Sequence, residues 1–246
     1  MLQVSRKTDE KVGANTGGSR NVIEFDNAGF NYGTRTIFSG VSHKLDTGSF
    51  HFLTGPSGAG KTTILRHCYL DLMPTSGSVA IFDTAAGSMS RDAVADTRRR
   101  IGVVHQNCQF LDHLSVADNV ALPLLVSGTE GAARMAEVSD LLHWVGLSHR
   151  AEAFPPELSG GERQRAALAR AVILSPDMII ADEPTGNIDW EMGQKIMTLL
   201  VELNRLGKTI LIASHDLQLI RAVGSEVSAR ILRLKGGQLL AAGSEL

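Results

Sequence analysis

The stretch Gly55-Pro56-Ser57-Gly58-Ala59-Gly60-Lys61-Thr62 fits the pattern GxxxxGK[ST]. Its glycines leave room for backbone N–H groups to wrap a chain of phosphates, and a helix opening at its end adds a positive potential. In such a loop Lys61 reaches the β- and γ-phosphates and the Thr62 hydroxyl holds Mg²⁺. Further along, the apolar run Met178-Ile179-Ile180-Ala181 delivers Asp182 and Glu183. A metal offsets the repulsion between neighbouring carboxylates. Asp182 is therefore suited to Mg²⁺, and Glu183 to polarising an attacking water. Each pattern has a bland alternative: a glycine-rich turn for the first, a helix N-cap before Pro184 for the second. Each follows an apolar strand-like run, and together they favour nucleotide chemistry.

The elements that must position these residues follow from hydrophobic period. Residues 50–53 form an apolar run that ends abruptly at the glycine loop. Behind the loop, Ile64, Leu65, Cys68, Tyr69 and Leu72 recur at helical spacing. Residues 74–77 stop that helix, and 78–82 read as a short strand. Ahead of it, 22–25 and 30–32 read as strands separated by a turn, with a further strand-rich stretch at 41–45. Val103-Val104 reads as a strand just before Gln106, and 118–146 as two amphipathic helices joined by Ser127-Gly128-Thr129. A helix is expected over 159–174, another over 190–204, and a strand over 209–213. Strands apolar on both faces and alternating with helices predict a parallel sheet covered on both sides, an α/β fold.

Composition narrows the class. The chain has 246 residues, 24 Lys plus Arg against 26 Asp plus Glu, 43% hydrophobic and 20% charged residues. These values exclude disordered, coiled-coil and collagen-like chains, and a net charge of −2 provides no global field for nucleic acid. Arg98-Arg99-Arg100 reads as a solvated helix face. Cys68 and Cys108 form no CxxC pair and fit a reducing compartment. No apolar run reaches the length of a membrane span, so a cytosolic protein is expected. The polar, glycine-containing residues 1–20 read as a flexible tail or a mis-assigned start, and 21–246 as the domain.

Leu158-Ser159-Gly160-Gly161-Glu162, followed by Arg163-Gln164-Arg165, resembles the signature motif of ATP-binding cassette (ABC) ATPases. Physically, Ser159 can cap a helix while Gly160 and Gly161 bare its N–H groups, making a second anion site. The resemblance covers about residues 22–243. It implies a P-loop NTPase with a RecA-like core, an antiparallel β subdomain and a helical signature subdomain at about 107–170. It also implies a head-to-tail, ATP-dependent homodimer that sandwiches two ATP between subunits. Residue by residue, it places Tyr32 on the adenine and Gly55, Pro56, Ser57, Gly58, Ala59, Gly60, Lys61, Thr62 and Thr63 on the phosphates. Ser159, Gly160, Gly161 and Glu162 face the nucleotide of the other subunit, and Asp189 of Asn187-Ile188-Asp189 reaches across the dimer. Gln106 matches the Q-loop glutamine, contacting Mg²⁺ together with Thr62 and Asp182 and linking the nucleotide to a membrane partner. His215 matches the switch histidine at the γ-phosphate, and Glu183, His215 and Gln106 are the expected catalytic set. The other histidines, at 43, 51, 67, 105, 113, 143 and 149, read as structural.

Within the family, Asp182-Glu183-Pro184-Thr185-Gly186-Asn187 and Glu162 are similar to the subgroup of lipoprotein-release, macrolide-export and cell-division ATPases. That implies a peripheral ATPase on the cytoplasmic face of the bacterial inner membrane, paired with an integral membrane protein and with no nucleic acid. Residues 50–62 and Asn119-Val120-Ala121-Leu122-Pro123-Leu124 point to the cell-division branch; a release or export ATPase is the alternative. A chromosome or DNA-repair ATPase needs a long coiled-coil insertion, for which the stretch from Thr62 to Leu158 leaves no room. A binding-only scaffold would lack Glu183 or His215, and neither is missing. His105 stands where a Phe usual in the family precedes Gln106, Asn107-Cys108 follow it, and Trp190 directly follows Asp189. Phe110, Leu111 and Leu114 are expected on an exposed coupling surface.

Overall fold

The computed structural model describes residues 21–128, 132–186, 188–224 and 226–242. The expected tail at 1–20, Thr129 of the expected inter-helix joint and Asn187 lie outside the described residues. In chain order the elements are β1 (Asn21–Tyr32), β2 (Arg35–Asp46), β3 (Phe50–Thr54), α1 (Lys61–Cys68), β4 (Ser76–Ile81), β5 (Thr84–Ala85) and α2 (Arg91–Arg99). Then come β6 (Ile101–Val104), α3 (Val116–Val126), α4 (Ala132–Trp144), α5 (Gly160–Val172), β7 (Met178–Asp182) and α6 (Trp190–Arg205). The C-terminal part is β8 (Thr209–Ala213), α7 (Leu217–Gly224), β9 (Ala229–Lys235) and β10 (Gln238–Ala242).

One sheet has six strands in the order β10-β9-β3-β8-β7-β6, and the other has four, β2-β1-β4-β5. In the larger sheet β3 pairs in parallel with β8 and β9, β7 with β6 and β8, and only β10 runs antiparallel, at the edge. Every residue of β3, β7 and β8 is buried, which is why these strands read as unbroken apolar runs. Side chains alternate between two cores. Leu53, Ile180 and Leu211 face a cluster shared with Ile23, Phe25 and Phe38 of the smaller sheet and Leu65 of α1. Phe52, Ile179 and Ile212 face α6 and α7, meeting Ile196, Leu200 and Ile220. A third cluster joins Val120 and Leu124 of α3, Val138 and Leu142 of α4, and Ala166 and Ala169 of α5.

Several local features depart from the sequence expectations. The two short strands over 22–32 are one twelve-residue strand, β1. Its pairing shifts register around Asp26–Ala28, where Asn27 has φ 45 and gives its N–H to Ser42 Oγ. A bulge takes the place of the expected turn. The helix after the glycine loop ends at Cys68 instead of continuing to Leu72. Leu70 takes φ 62, and the Asp71 and Leu72 N–H groups turn back to the Arg66 carbonyl. Leu72 still packs on the core, so the apolar period outlives the helix. Arg98-Arg99-Arg100 is exposed at the end of α2, as expected of a solvated face, and its side chains also make fixed contacts. Arg98 donates to the Tyr69 and Leu70 carbonyls, Arg99 pairs with Asp96, and Arg100 pairs with Asp177 while lying 3.7 Å over the Phe82 ring.

Buried polar groups fix two more places. Asn119 is fully buried; its amide donates to the Leu111, Leu114 and Ser115 carbonyls and accepts the Leu111 N–H at 2.9 Å. That single side chain folds the loop ahead of α3 onto its first turn. His51 of β3 is also fully buried, with its ring 6.1 Å from that of His43 and its Nδ1 3.1 Å from Ser49 Oγ. Burial pulls the His51 pKa down to about 4. Among the described residues no helix is long and apolar enough to cross a membrane.

Candidate functional site

The carboxyl ends of β3, β7 and β8 lie side by side, where open parallel sheets bind ligands. Here a cleft of about 460 Å³ is lined by Tyr32, Ser57, Gly58, Gly60, Lys61, Thr62, Thr63, Gln106, Asp182, Glu183 and His215, with Arg35 and Ile37 at its edge. Gly60 is the residue before α1 and has φ 104; a Cβ there would meet Ile37 Cγ2 at 2.5 Å. Only glycine makes that turn into a helix N-terminus without strain. The Lys61 ammonium is buried and folded over its own loop, donating to the Gly55 carbonyl at 2.9 Å and the Pro56 carbonyl at 3.4 Å. It also stands 3.5 Å from Glu183 Oε1.

Glu183 sits one residue beyond β7 with φ 47, a left-handed conformation that its Cβ disfavours. Its N–H is held by the Ala213 carbonyl at the end of β8, at 2.9 Å. Its second carboxylate oxygen lies 2.9 Å from His215 Nδ1, which must donate because the carboxylate can only accept. The carboxylate thus stands between two donors, the ammonium of the buried Lys61 and the Nδ1–H of the exposed His215. Asp182, 9% exposed, ends β7 itself. Burial raises its pKa, while a hydrogen bond from Thr62 acts against the shift. Asp182, Thr62 and Gln106 are the oxygen-bearing side chains among the cleft's lining that suit a metal, and Thr62 is hydrogen-bonded to Asp182. A carboxylate, a hydroxyl and an amide carbonyl match Mg²⁺, a hard cation that keeps part of its water shell.

Tyr32 stands at the mouth, 45% exposed, with its ring edge-on to Phe30 at 4.8 Å and its hydroxyl accepting from Arg66 at 3.2 Å. Those contacts hold the ring where it lines the cleft. Arg35 and Ile37 were not anticipated from sequence. The β1–β2 hairpin pairs Tyr32 with Arg35, and this pairing is the signal that could have found them.

The remaining predicted residues are elsewhere. Gly55, Pro56 and Ala59 belong to the glycine loop but are not among the cleft's lining residues, and neither are Ser159, Gly160, Gly161, Glu162 and Asp189. Ser159 caps α5, taking the Glu162 N–H, and the Glu162 carboxylate returns to the Ser159 N–H at 2.9 Å. That backbone N–H, with Arg150 Nε at 3.0 Å, pulls the Glu162 pKa down to about 2. Asp189 caps α6 by accepting the Met192 N–H at 2.9 Å. The two caps are neighbours, because Met192 packs on the buried Gly161, where a Cβ would collide with it. The aromatic part of the expected coupling surface also differs. Leu111 is exposed, but Leu114 is half-buried, and so is Phe110, beneath the Arg170 guanidinium at 4.7 Å.

A phosphate loop, two strand-end carboxylates and a capped glycine-bearing helix on one α/β frame define an ATP-binding cassette. Residues 38–186 match the family model described as ABC transporter, and the chain belongs to this family of ATP-binding, ATP-hydrolysing subunits. Its relatives include the cell division ATP-binding protein FtsE of Escherichia coli strain K12, 39% identical over 219 residues that cover 89% of this chain and 97% of that protein. FtsE of Bacillus subtilis strain 168 is 37% identical over 191 residues, 78% of this chain and 84% of the relative. Among solved structures, the dimeric bacterial ABC transporter cassette MJ0796 superposes with a TM-score of 0.80 at 33% identity, covering 88% of this chain and 96% of that one. Its dimeric post-hydrolysis state bound to ADP and Pi gives 0.79 at 32%.

Proposed function

We propose that this chain is the ATPase subunit of a bacterial cell-division complex. It closes as a head-to-tail homodimer on ATP and drives the integral membrane protein FtsX, together with divisome components, to regulate septal peptidoglycan hydrolysis. The observation that carries the hydrolytic part is the Lys61–Glu183–His215 array across the ends of β3, β7 and β8. The cell-division part rests on likeness to FtsE over nearly the whole of both chains. Residues 21–246 form the ATPase, which sits peripherally on the cytoplasmic face of the inner membrane. The span at about 107–170 serves as its helical subdomain.

In this reading Tyr32 stacks on adenine, and residues 55–63 hold the phosphates with backbone N–H groups and the Lys61 ammonium. Mg²⁺, held by Thr62, Asp182 and Gln106, supplies charge neutralisation on the phosphate oxygens. On ATP arrival Lys61 turns from Glu183 to the γ-phosphate, freeing the carboxylate to accept a proton from water. The water oxygen bonds to the γ-phosphorus as the bond to the β-phosphate oxygen breaks, leaving ADP and phosphate. His215 donates to the γ-phosphate oxygens. Ser159, Gly160 and Gly161, with Glu162 fixing the cap, present N–H groups to the partner subunit's nucleotide, and Asp189 crosses the seam. Closure is a population shift, because ATP binds the closed dimer better than the open one.

The test is to trap Glu183→Gln with ATP in cells, crosslink it, and identify the detergent-extracted complex by mass spectrometry. Recovery of FtsX with divisome proteins is expected. Recovery of a lipoprotein-release or macrolide-export permease would overturn the cell-division reading and leave the catalytic assignments standing.

A further inference from the structure

The segment after Gln106 contains two consecutive non-glycine residues in the left-handed region, Cys108 at φ 55 and Gln109 at φ 47. Their Cβ atoms disfavour this conformation, and a pair in succession needs an external restraint. Local bonds account for part of it: Cys108 N–H to the His105 carbonyl and Gln109 N–H to that of Asn107. The rest comes from α5. Arg170 donates Nη1 to the Gln109 carbonyl at 2.9 Å and Nη2 to the Cys108 carbonyl, with its guanidinium over the Phe110 ring. Gln164, earlier on the same helix, donates Nε2 to the Gln106 carbonyl at 3.2 Å.

The Gln164 contact is more than incidental. Its side chain is 4% exposed, and its Oε1 is buried without a partner among the described residues. The bond to Gln106 is therefore what offsets the burial of that amide. Arg170 matches the loop through a rigid fork whose two arms reach successive carbonyls, a geometry that a lysine ammonium does not reproduce.

We propose that Arg170 and Gln164 are positioning residues. They hold the loop in its left-handed pair and fix where the Gln106 side chain enters the cleft. The proposal rests on the reading of Gln106 as a catalytic-site residue, so the test carries a control for that reading.

ATPase kinetics are measured on the full chain for Arg170→Met, Arg170→Lys, Gln109→Gly, the Arg170→Met/Gln109→Gly double variant and Gln106→Ala. Arg170→Met is expected to lower kcat about tenfold, with KM for ATP shifted less than about twofold, because the loop is misplaced while the phosphate loop is intact. Glycine takes positive φ freely, so Gln109→Gly should be near wild type and the double variant should recover to within about threefold of wild type. Arg170→Lys should fall between. If Arg170 served only to pack α5, the glycine would rescue nothing, and a double variant no faster than Arg170→Met overturns the proposal. Should Arg170→Met fail to fold, the same rescue is scored on Arg170→Lys. Loss in Gln106→Ala without loss in the Arg170 variants overturns the proposal alone. Full activity in Gln106→Ala overturns the role of Gln106 and the proposal with it.

Discussion

Glu183→Gln should tighten ATP binding while abolishing turnover, and the structure sets the scale of the first effect. The Glu183 carboxylate stands 3.5 Å from the Lys61 ammonium and 2.9 Å from His215 Nδ1, and the Lys61 and Glu183 side chains are only 9% and 12% exposed. At an effective dielectric near 20, two charges at this separation attract by about 4–5 kcal/mol. Desolvation of both groups offsets most of that. About 1–1.5 kcal/mol then remains to be overcome when Lys61 transfers to the γ-phosphate, a factor of about ten in affinity. The amide keeps the shape and loses the charge, so the variant should bind ATP about tenfold more tightly and ADP, which offers Lys61 only the β-phosphate, with a smaller gain. Turnover should fall by at least about a hundredfold through loss of the general base. Equilibrium binding of a fluorescent ATP analogue with excess EDTA, alongside single-turnover hydrolysis with Mg²⁺, separates the two effects. Equal tightening for ATP and ADP would refute the competition argument, and wild-type turnover would refute the role of Glu183.

Other outcomes follow from the same geometry. Asp182→Asn should raise the Mg²⁺ concentration needed for half-maximal hydrolysis more than about tenfold, since a charged hard ligand is lost, while metal-free nucleotide binding changes little. Asn119→Ala removes the amide that serves Leu111, Leu114 and Ser115. Urea denaturation should show a loss of about 2–4 kcal/mol, beyond that of an ordinary truncation, because buried backbone groups are left unpaired. His51 is held neutral, with its pKa at about 4 against an ordinary 6.5. Its contribution is fully present above 6.5 and is lost as pH falls toward 4, by about 2–3 kcal/mol. In His51→Leu, stability measured at pH 7 and pH 4.5 should differ less than in the wild type by most of that amount; an unchanged difference would exclude His51 as its source.

Much of this was legible in the residues because the motifs carry their own structural context. An apolar run followed by a glycine loop predicts β3 and α1, and the run ending in Asp182-Glu183 predicts β7. The errors arose where side-chain burial and backbone conformation part company. Leu72 is apolar and in helical register, yet Leu70 and Asp71 have already turned the chain away, aided by Arg98 on the Tyr69 and Leu70 carbonyls. Around Asn27 polar residues suggested a turn, but a neighbouring hydroxyl and register shifts keep β1 continuous. No elements were assigned beyond residue 213, although signals existed. Asp216 caps the first turn of α7, and Gly236-Gly237 joins β9 to β10 as an antiparallel hairpin. The packing of Gly161 under Met192 was not legible, since contact between α5 and α6 depends on tertiary arrangement that no local pattern encodes.

That packing has a genetic consequence. The cleft and the paired caps of α5 and α6 lie apart on one chain, so in the proposed dimer each reaction centre draws half its parts from either copy. An allele damaged at Lys61 and an allele damaged at Ser159, expressed together, should restore one working centre per mixed pair, though neither works alone. Expressed beside the wild type, each should act as a partial dominant, because every mixed pair has one compromised centre. Because Met192 ties the two caps together, alleles at Ser159 and Asp189 should fall into a single complementation group.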